Sequence, residues 1–147
     1  MNRSQRKNSD RNNDATFTEL TIASTLQAAK QPEQVIIERL RACGFGKEAT
    51  FAVKLALEEA LTNAVKHGNR NDPEKRVTVR FSIDEGKSVI FVRDEGPGFE
   101  PQRVPDPTEP GRLSIPSGRG IMLIRAYMDE VRFGMNGREV CLIKHNR

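Results

Sequence analysis

The chain has no tryptophan, one tyrosine, two histidines and two cysteines in 147 residues, and aromatic side chains make up only 5% of it. Basic residues therefore occur without aromatic interleaving, which argues against a direct nucleic-acid surface. Cys43 and Cys141 stand far apart, each inside an apolar pattern, with no CxxC and no Cys/His pair at metal-ligand spacing. Both are expected to be reduced core residues. No apolar run approaches the roughly 18 residues of a membrane span, and no apolar core follows the basic residues near Met1. These absences point to a cytoplasmic protein without a membrane segment. The patterns GxxxxGK[ST] and GxGxxG are missing too, so Walker-type and Rossmann-type nucleotide sites are unsupported.

What is present fits one domain. Twenty-four Lys and Arg stand against 20 Asp and Glu, a net charge of +4, and the isoelectric point is near 9.3. Half of the excess lies in residues 1–14, where Arg3, Arg6, Lys7 and Arg11 outnumber Asp10 and Asp14. This opening stretch has no apolar residue after Met1, so it cannot bury enough surface to offset the entropy of ordering. The expected division is a disordered polar tail over 1–14 and a single domain over 15–147.

Phe17 to Ala23 alternates as a first strand. Pro32 suits the first residue of a helix carrying the stripe Val35, Ile36, Leu40 and Cys43, which Gly44 ends. A second helix is expected from Lys47 to His67. Val53, Leu57, Leu61 and Ala64 form its core face, and Gly68 closes it. A second arc carries Glu59, Asn63 and His67 above Ala52, Ala56 and Ala60. Those small residues would let something approach the helix closely.

Val77, Val79, Phe81 and Ile83 then alternate with polar residues, and D-E-G-K turns the chain into S-V-I-F-V-R, a hairpin ending at Asp94. Six of the eight prolines fall between 97 and 116, which predicts a long loop. A helix over Ser117 to Met128 follows, then a second hairpin through Asn136-Gly137. This order predicts an α+β two-layer sandwich: a mixed, mostly antiparallel sheet with helices on one face.

Three segments carry candidate chemistry: E-E-A-L-T-N-A-V-K-H-G-N (58–69), D-E-G-P-G-F (94–99) and S-G-R-G-I-M-L-I (117–124). In this order they resemble the N box and the two glycine boxes of the GHKL, or histidine kinase-like, ATP-binding fold. The short chain and the E-A-x-x-N form of the first motif are most similar to the bacterial anti-sigma factor serine/threonine kinases. The resemblance implies ATP and Mg²⁺ as cofactors. It implies a sigma factor and a small STAS-type anti-sigma factor antagonist as partners, and leaves room for a homodimer. A non-catalytic module of the same fold, sequestering a partner with or without ATP, is the alternative. A detached histidine kinase catalytic domain or a gyrase-type ATPase fits less well, because no histidine-bearing dimerisation helix or transducer domain is visible.

Glu59 and Asn63 lie four apart on one helix and can address the same phosphate. The resemblance makes Glu59 the general base and Asn63 the Mg²⁺ ligand, and Mg²⁺ keeps several waters, so one amide oxygen with phosphate oxygens suffices. Glu58 points about 100° away and receives no catalytic role. In the family the carboxylate at the Asp94 position reads the exocyclic amino group of adenine, although D-E-G alone would also suit an ordinary turn. Gly96 and Gly98 would let backbone approach the ring. Gly118 and Gly120 open a helix whose free N–H groups favour phosphate, Ser117 could cap it, and Arg119 could add a charged hydrogen bond. His67 falls in the H-G-N end of the first motif and reads as structural. One departure bears on catalysis. The kinases commonly carry a basic residue just before Ser-Gly-x-Gly, where this chain has Pro116, with Arg112 or Arg119 as substitutes. Loss of such a charge can cost about 10³ to 10⁵ in rate.

Overall fold

The computed structural model describes residues 16–98 and 116–147, without the side chains of 116–119. The expected tail, most of the proline-rich loop and Arg112 lie outside those residues. In chain order the elements are β1 (Thr18–Ala23), α1 (Lys30–Ala42), α2 (Lys47–Thr62), a π-helical segment (Asn63–Gly68), β2 (Arg76–Ile83), β3 (Lys87–Arg93), α3 (Pro116–Tyr127), β4 (Glu130–Gly134) and β5 (Glu139–His145).

The α+β class is as expected, with the strands ordered β1-β2-β3-β5-β4 in one sheet. The expected mixed sheet is corrected, since all four ladders are antiparallel. Strand β4 runs in the same direction as β3, but β5 lies between them, so no parallel pair forms.

The alternation in β2 places Val77, Val79, Phe81 and Ile83 inward, against Ile36, Leu40, Val53, Leu57 and Leu61 from the helices. Truncation of a residue as enclosed as Leu57, which is fully buried, to Ala would cost about 2–5 kcal/mol. Strand β5 is central and buried on both sides. Val140 and Leu142 enter the main core, while Cys141 and Ile143 join Phe91, Phe17 and Val89 on the outer face. Burial pushes the Cys141 thiol up to about 11. Both cysteines are free, and Cys43 packs beside the core with its thiol 3.7 Å from the Ile83 carbonyl oxygen.

Several boundaries differ from the sequence expectation for physical reasons. Helix α1 begins at Lys30, so Pro32 sits in its first turn, where a missing N–H costs nothing. Gly44 follows α1 with φ +87°, the left-handed conformation that ends helices. The second helix stops being α-helical at Thr62 and continues as a π turn, with the Asn69 N–H donating to the Ala64 carbonyl at 2.8 Å. The second hairpin turns through a short 3-10 segment at Met135–Gly137, with Met135, Asn136 and Gly137 all at positive φ, and is therefore longer than a two-residue Asn-Gly turn.

Glu58 forms an ion pair with Lys54 at 3.3 Å on α2. Across the α1–α2 contact, burial and the facing Glu58 push the Glu33 carboxyl up to about 7. Glu58 is held below the usual carboxylate range by its hydrogen bond to Glu33, with Lys54 assisting. The two carboxyls titrate together, with the Glu33 side of the pair pushed up and the Glu58 side pushed down. Among the described residues no helix is long and apolar enough to cross a membrane.

Candidate functional site

A cleft of about 680 Å³, counting its open mouth, lies between the end of α2, its π turn, α3 and the C-terminal end of β3. Its floor is apolar: Ala60, Ala64, Val92, Ile121, Ile124, Phe133 and Val140. Polar groups from Asn63, His67, Arg70, Asp94 and Arg138 stand around the rim. A flat apolar slot with a few convergent polar groups suits a planar ring carrying a polar tail.

The first motif supplies one wall. The alanines of α2 are buried, and the fifth residue of α3, Gly120, sits against the same helix face. A β-carbon on Gly120 would lie 2.8 Å from Glu59 Oε1 and 3.1 Å from Asn63 Nδ2. The small residues thus admit the first turn of α3, and Glu59 and Asn63 meet it together, as their spacing of four predicted. Glu59 borders this contact but is not part of the cleft lining, whereas Asn63 is.

The second motif supplies the opposite end. Asp94 leaves β3, and its N–H donates to the Arg138 carbonyl at 2.9 Å. The Gly96 N–H donates to Asp94 Oδ1 at 2.7 Å, which gives the loop an Asx turn and leaves the carboxylate further acceptor capacity. The carboxylate abuts Gly68, and Gly96 abuts the Gly68 carbonyl; no β-carbon fits at either glycine. Burial raises the Asp94 pKa above the ordinary value, opposed by the Gly96 hydrogen bond and by Arg138 and Lys75. Gly98 is left-handed at φ +87° and packs on the Asn136 carbonyl.

The structure therefore brings Asn63, Asp94 and Gly98 to one cleft, with Gly96 and Gly120 shaping its two ends and Glu59 beside Gly120. Ser117, Gly118 and Arg119 fall in the first turn of α3, but the side chains of Ser117 and Arg119 lie outside the described residues. Pro116 opens that helix. His67 lines the cleft, and burial, with Lys66 beside it, lowers its pKa, so it is a neutral imidazole at neutral pH.

Sequence reasoning missed Arg70 and Arg138, the two cations of the rim among the described residues. Neither falls in a recognisable motif. Arg70 carries a left-handed backbone (φ +54°), a conformation that an arginine codon does not advertise. It also missed Asn69, fully buried just behind the cleft. The H-G-N segment was the available signal, but only its histidine drew a reading.

A family model described as the histidine kinase-like ATPase domain matches residues 22–144. The chain is 32% identical over 123 residues to the serine-protein kinase RsbW of Listeria innocua, covering 74% of this chain and 76% of that one. It is 33% identical over 132 residues to the serine-protein kinase RsbW of Bacillus subtilis, covering 82% and 79%. Among solved structures, a Mycobacterium tuberculosis protein described by its RsbU and RsbW domains matches with a TM-score of 0.60 at 19% identity. The match covers 89% of this chain and 32% of that longer one, so it is a likeness of fold. The motif order, the cleft these motifs enclose and the family match along most of the sequence agree, and the chain belongs to the histidine kinase-like ATPase domain family.

Proposed function

We propose that the chain is an ATP-dependent serine/threonine protein kinase of the anti-sigma factor type, which sequesters a sigma factor and phosphorylates a small STAS-type antagonist. The observation that carries this reading is the pairing of Glu59 and Asn63 against Gly120 at the start of α3, across one cleft from Asp94. Adenine would lie on the apolar floor with its amino group toward Asp94. The triphosphate would extend toward the first turn of α3, where backbone N–H groups and the helix dipole favour anionic oxygen.

Among the described residues no three His, Cys, Asp or Glu side chains converge on a metal. Mg²⁺ would take its protein oxygen from Asn63 and the remainder from phosphate and water, and it would neutralise charge on the phosphates. Glu59 would accept the proton of an attacking serine or threonine hydroxyl as that oxygen bonds to the γ-phosphorus and ADP leaves.

Calorimetric titration with ATP, with and without Mg²⁺, joined to γ-phosphate transfer onto a candidate antagonist, tests this. Asp94→Asn and Asn63→Ala should weaken binding, and Glu59→Ala should leave binding but abolish transfer. Transfer that survives Glu59→Ala unchanged would refute the catalytic assignment. Pro116 at the head of α3 favours a second reading, a module that binds ATP and sequesters its partner without turnover, because proline offers no charge to the transferred phosphate. That reading expects saturable ATP binding and no transfer to any antagonist.

A further inference from the structure

Asn69 is fully buried and does not line the cleft, yet its side-chain amide ties the segment that follows Asp94 to the end of β1 and the start of β2. Its Nδ2 donates to Ser24 Oγ at 2.9 Å and to the Arg76 carbonyl at 3.0 Å, and its Oδ1 accepts the Glu95 N–H at 2.7 Å. The partners fix the orientation of the amide. A backbone N–H can only donate and a carbonyl can only accept, so a flipped amide would break both bonds. Glu95 closes a ring, its carboxylate accepting the Arg76 N–H at 2.9 Å.

We propose that Asn69 is a positioning residue for Asp94: by holding the backbone of Glu95, one residue along, it sets the direction in which the Asp94 carboxylate meets the base. This rests on the reading of Asp94 as the acceptor for an adenine amino group. Glu95 is exposed in a bend beyond the end of β3, where no ladder partner exists for its N–H. The Asp94 N–H is already committed to the Arg138 carbonyl. Asp94 is therefore gripped on both sides, by the turn residue that precedes β5 on one and by a buried side chain on the other. Without the Asn69 oxygen, the Arg138 contact, the Asx turn and the packing on Gly68 would be left to orient the carboxylate. A site that hydrogen-bonds a polar group on its ligand rejects an analogue lacking it only while the acceptor stays in place.

The test is titration of the full chain with ATP and with ITP, whose base carries a carbonyl in place of the amino group. The parent should favour ATP by about tenfold or more. Asn69→Ala should bring the two affinities within about threefold of each other. Ser24→Ala, which disturbs the same amide but leaves the Glu95 bond, should keep the parent's ratio even if it lowers stability. A folded Asn69→Ala that discriminates as well as the parent would overturn the positioning role alone. A parent that binds ATP and ITP equally, or neither, would overturn the assignment of Asp94 and the positioning role with it. Hydrogen exchange in the parent requires no variant to fold: the Glu95 amide should exchange about 10² more slowly than the exposed Glu85 amide in the β2–β3 turn. Equal exchange at the two positions would overturn the tie itself.

Discussion

Replacing Gly120 by alanine separates what the fold needs from what the site needs. Alanine is favoured over glycine inside a helix by about 1 kcal/mol, and Gly120 lies within α3. Against that gain, the new methyl would stand 2.8 Å from Glu59 Oε1, 3.1 Å from Asn63 Nδ2 and 3.3 Å from Asn63 Oδ1. Relief to an ordinary contact of 3.4 Å requires a shift of about 0.6 Å at Glu59. The contacted atoms are the ends of two side chains and no backbone, so rotation away costs about 0.5–1.5 kcal/mol. The two terms nearly cancel, and the melting temperature should move by less than about 4 °C. The site does not benefit from the cancellation. Displacement of groups proposed to hold Mg²⁺ and accept a proton, by a large fraction of an ångström, should cost roughly tenfold to 10² in transfer rate. ATP binding measured without Mg²⁺ should hold, because Asp94 lies at the other end of the cleft and the groups nearest the new methyl are Glu59 and Asn63. Thermal unfolding and calorimetry with and without Mg²⁺ check both halves. A folded Gly120→Ala protein with the parent's Mg²⁺ dependence and transfer rate would refute the packing of α3 onto Glu59 and Asn63 as functional.

Other consequences are more local. Glu33 has a raised pKa in the folded state, so its contribution to stability is full below the unfolded value of 4.5 and is lost as pH rises toward about 7. Glu33→Gln, which resembles the protonated form at every pH, should gain melting temperature relative to the parent between pH 5 and pH 8; a constant difference would show that the two carboxyls do not titrate together. Ser88 is fully buried, and its Oγ has no partner among the described residues. Ser88→Ala should therefore raise stability by about 1 kcal/mol in chemical denaturation, and a loss instead would mean that an ordered water satisfies the hydroxyl. Cys141, buried with a thiol pushed up to about 11, should resist alkylation near pH 8 in the native protein and react once urea unfolds it. Rapid native labelling at Cys141 would contradict its burial. Because burial raises the Asp94 pKa, ATP affinity should fall as pH drops through a value above that of an ordinary aspartate. The same titration on Asp94→Asn should be flat there; an equal pH dependence would assign the proton to another group.

The elements that sequence revealed well are those whose signal is local. The β2 alternation is a direct image of one covered face, and Gly44 marks a place where regular structure must stop. What sequence concealed depends on partners elsewhere in the chain. Nothing between Glu58 and Gly68 interrupts a helical period, yet the helix widens into a π turn at Asn63. Gly68 there packs on Asp94, a residue 26 positions later. The Asn136-Gly137 signal was real, but Met135 also adopts a left-handed backbone, which no property of methionine predicts.

The glycines show the same division from the other side. Three glycines of the site face a polar group from another segment: Gly68 faces the Asp94 carboxylate, Gly120 faces Glu59 and Asn63, and Gly98 faces the Asn136 carbonyl. A sequence displays both members of each pair, since glycines and isolated polar residues stand out from an apolar background. The pairing itself is absent, because it is made only when α3 and the loop after β3 close on the two ends of α2 and its π turn. The motif order is therefore evidence for the cleft in a way that no single motif can be. Three glycine approaches made by three separate segments must all be satisfied at once for the cleft to form between them. Loss of any one glycine should damage the polar group it faces more than the fold that carries it, provided that the contact is with a side chain. At Gly96, which abuts the Gly68 carbonyl, the obstacle is backbone and cannot rotate away, so there the same substitution should damage the fold as well.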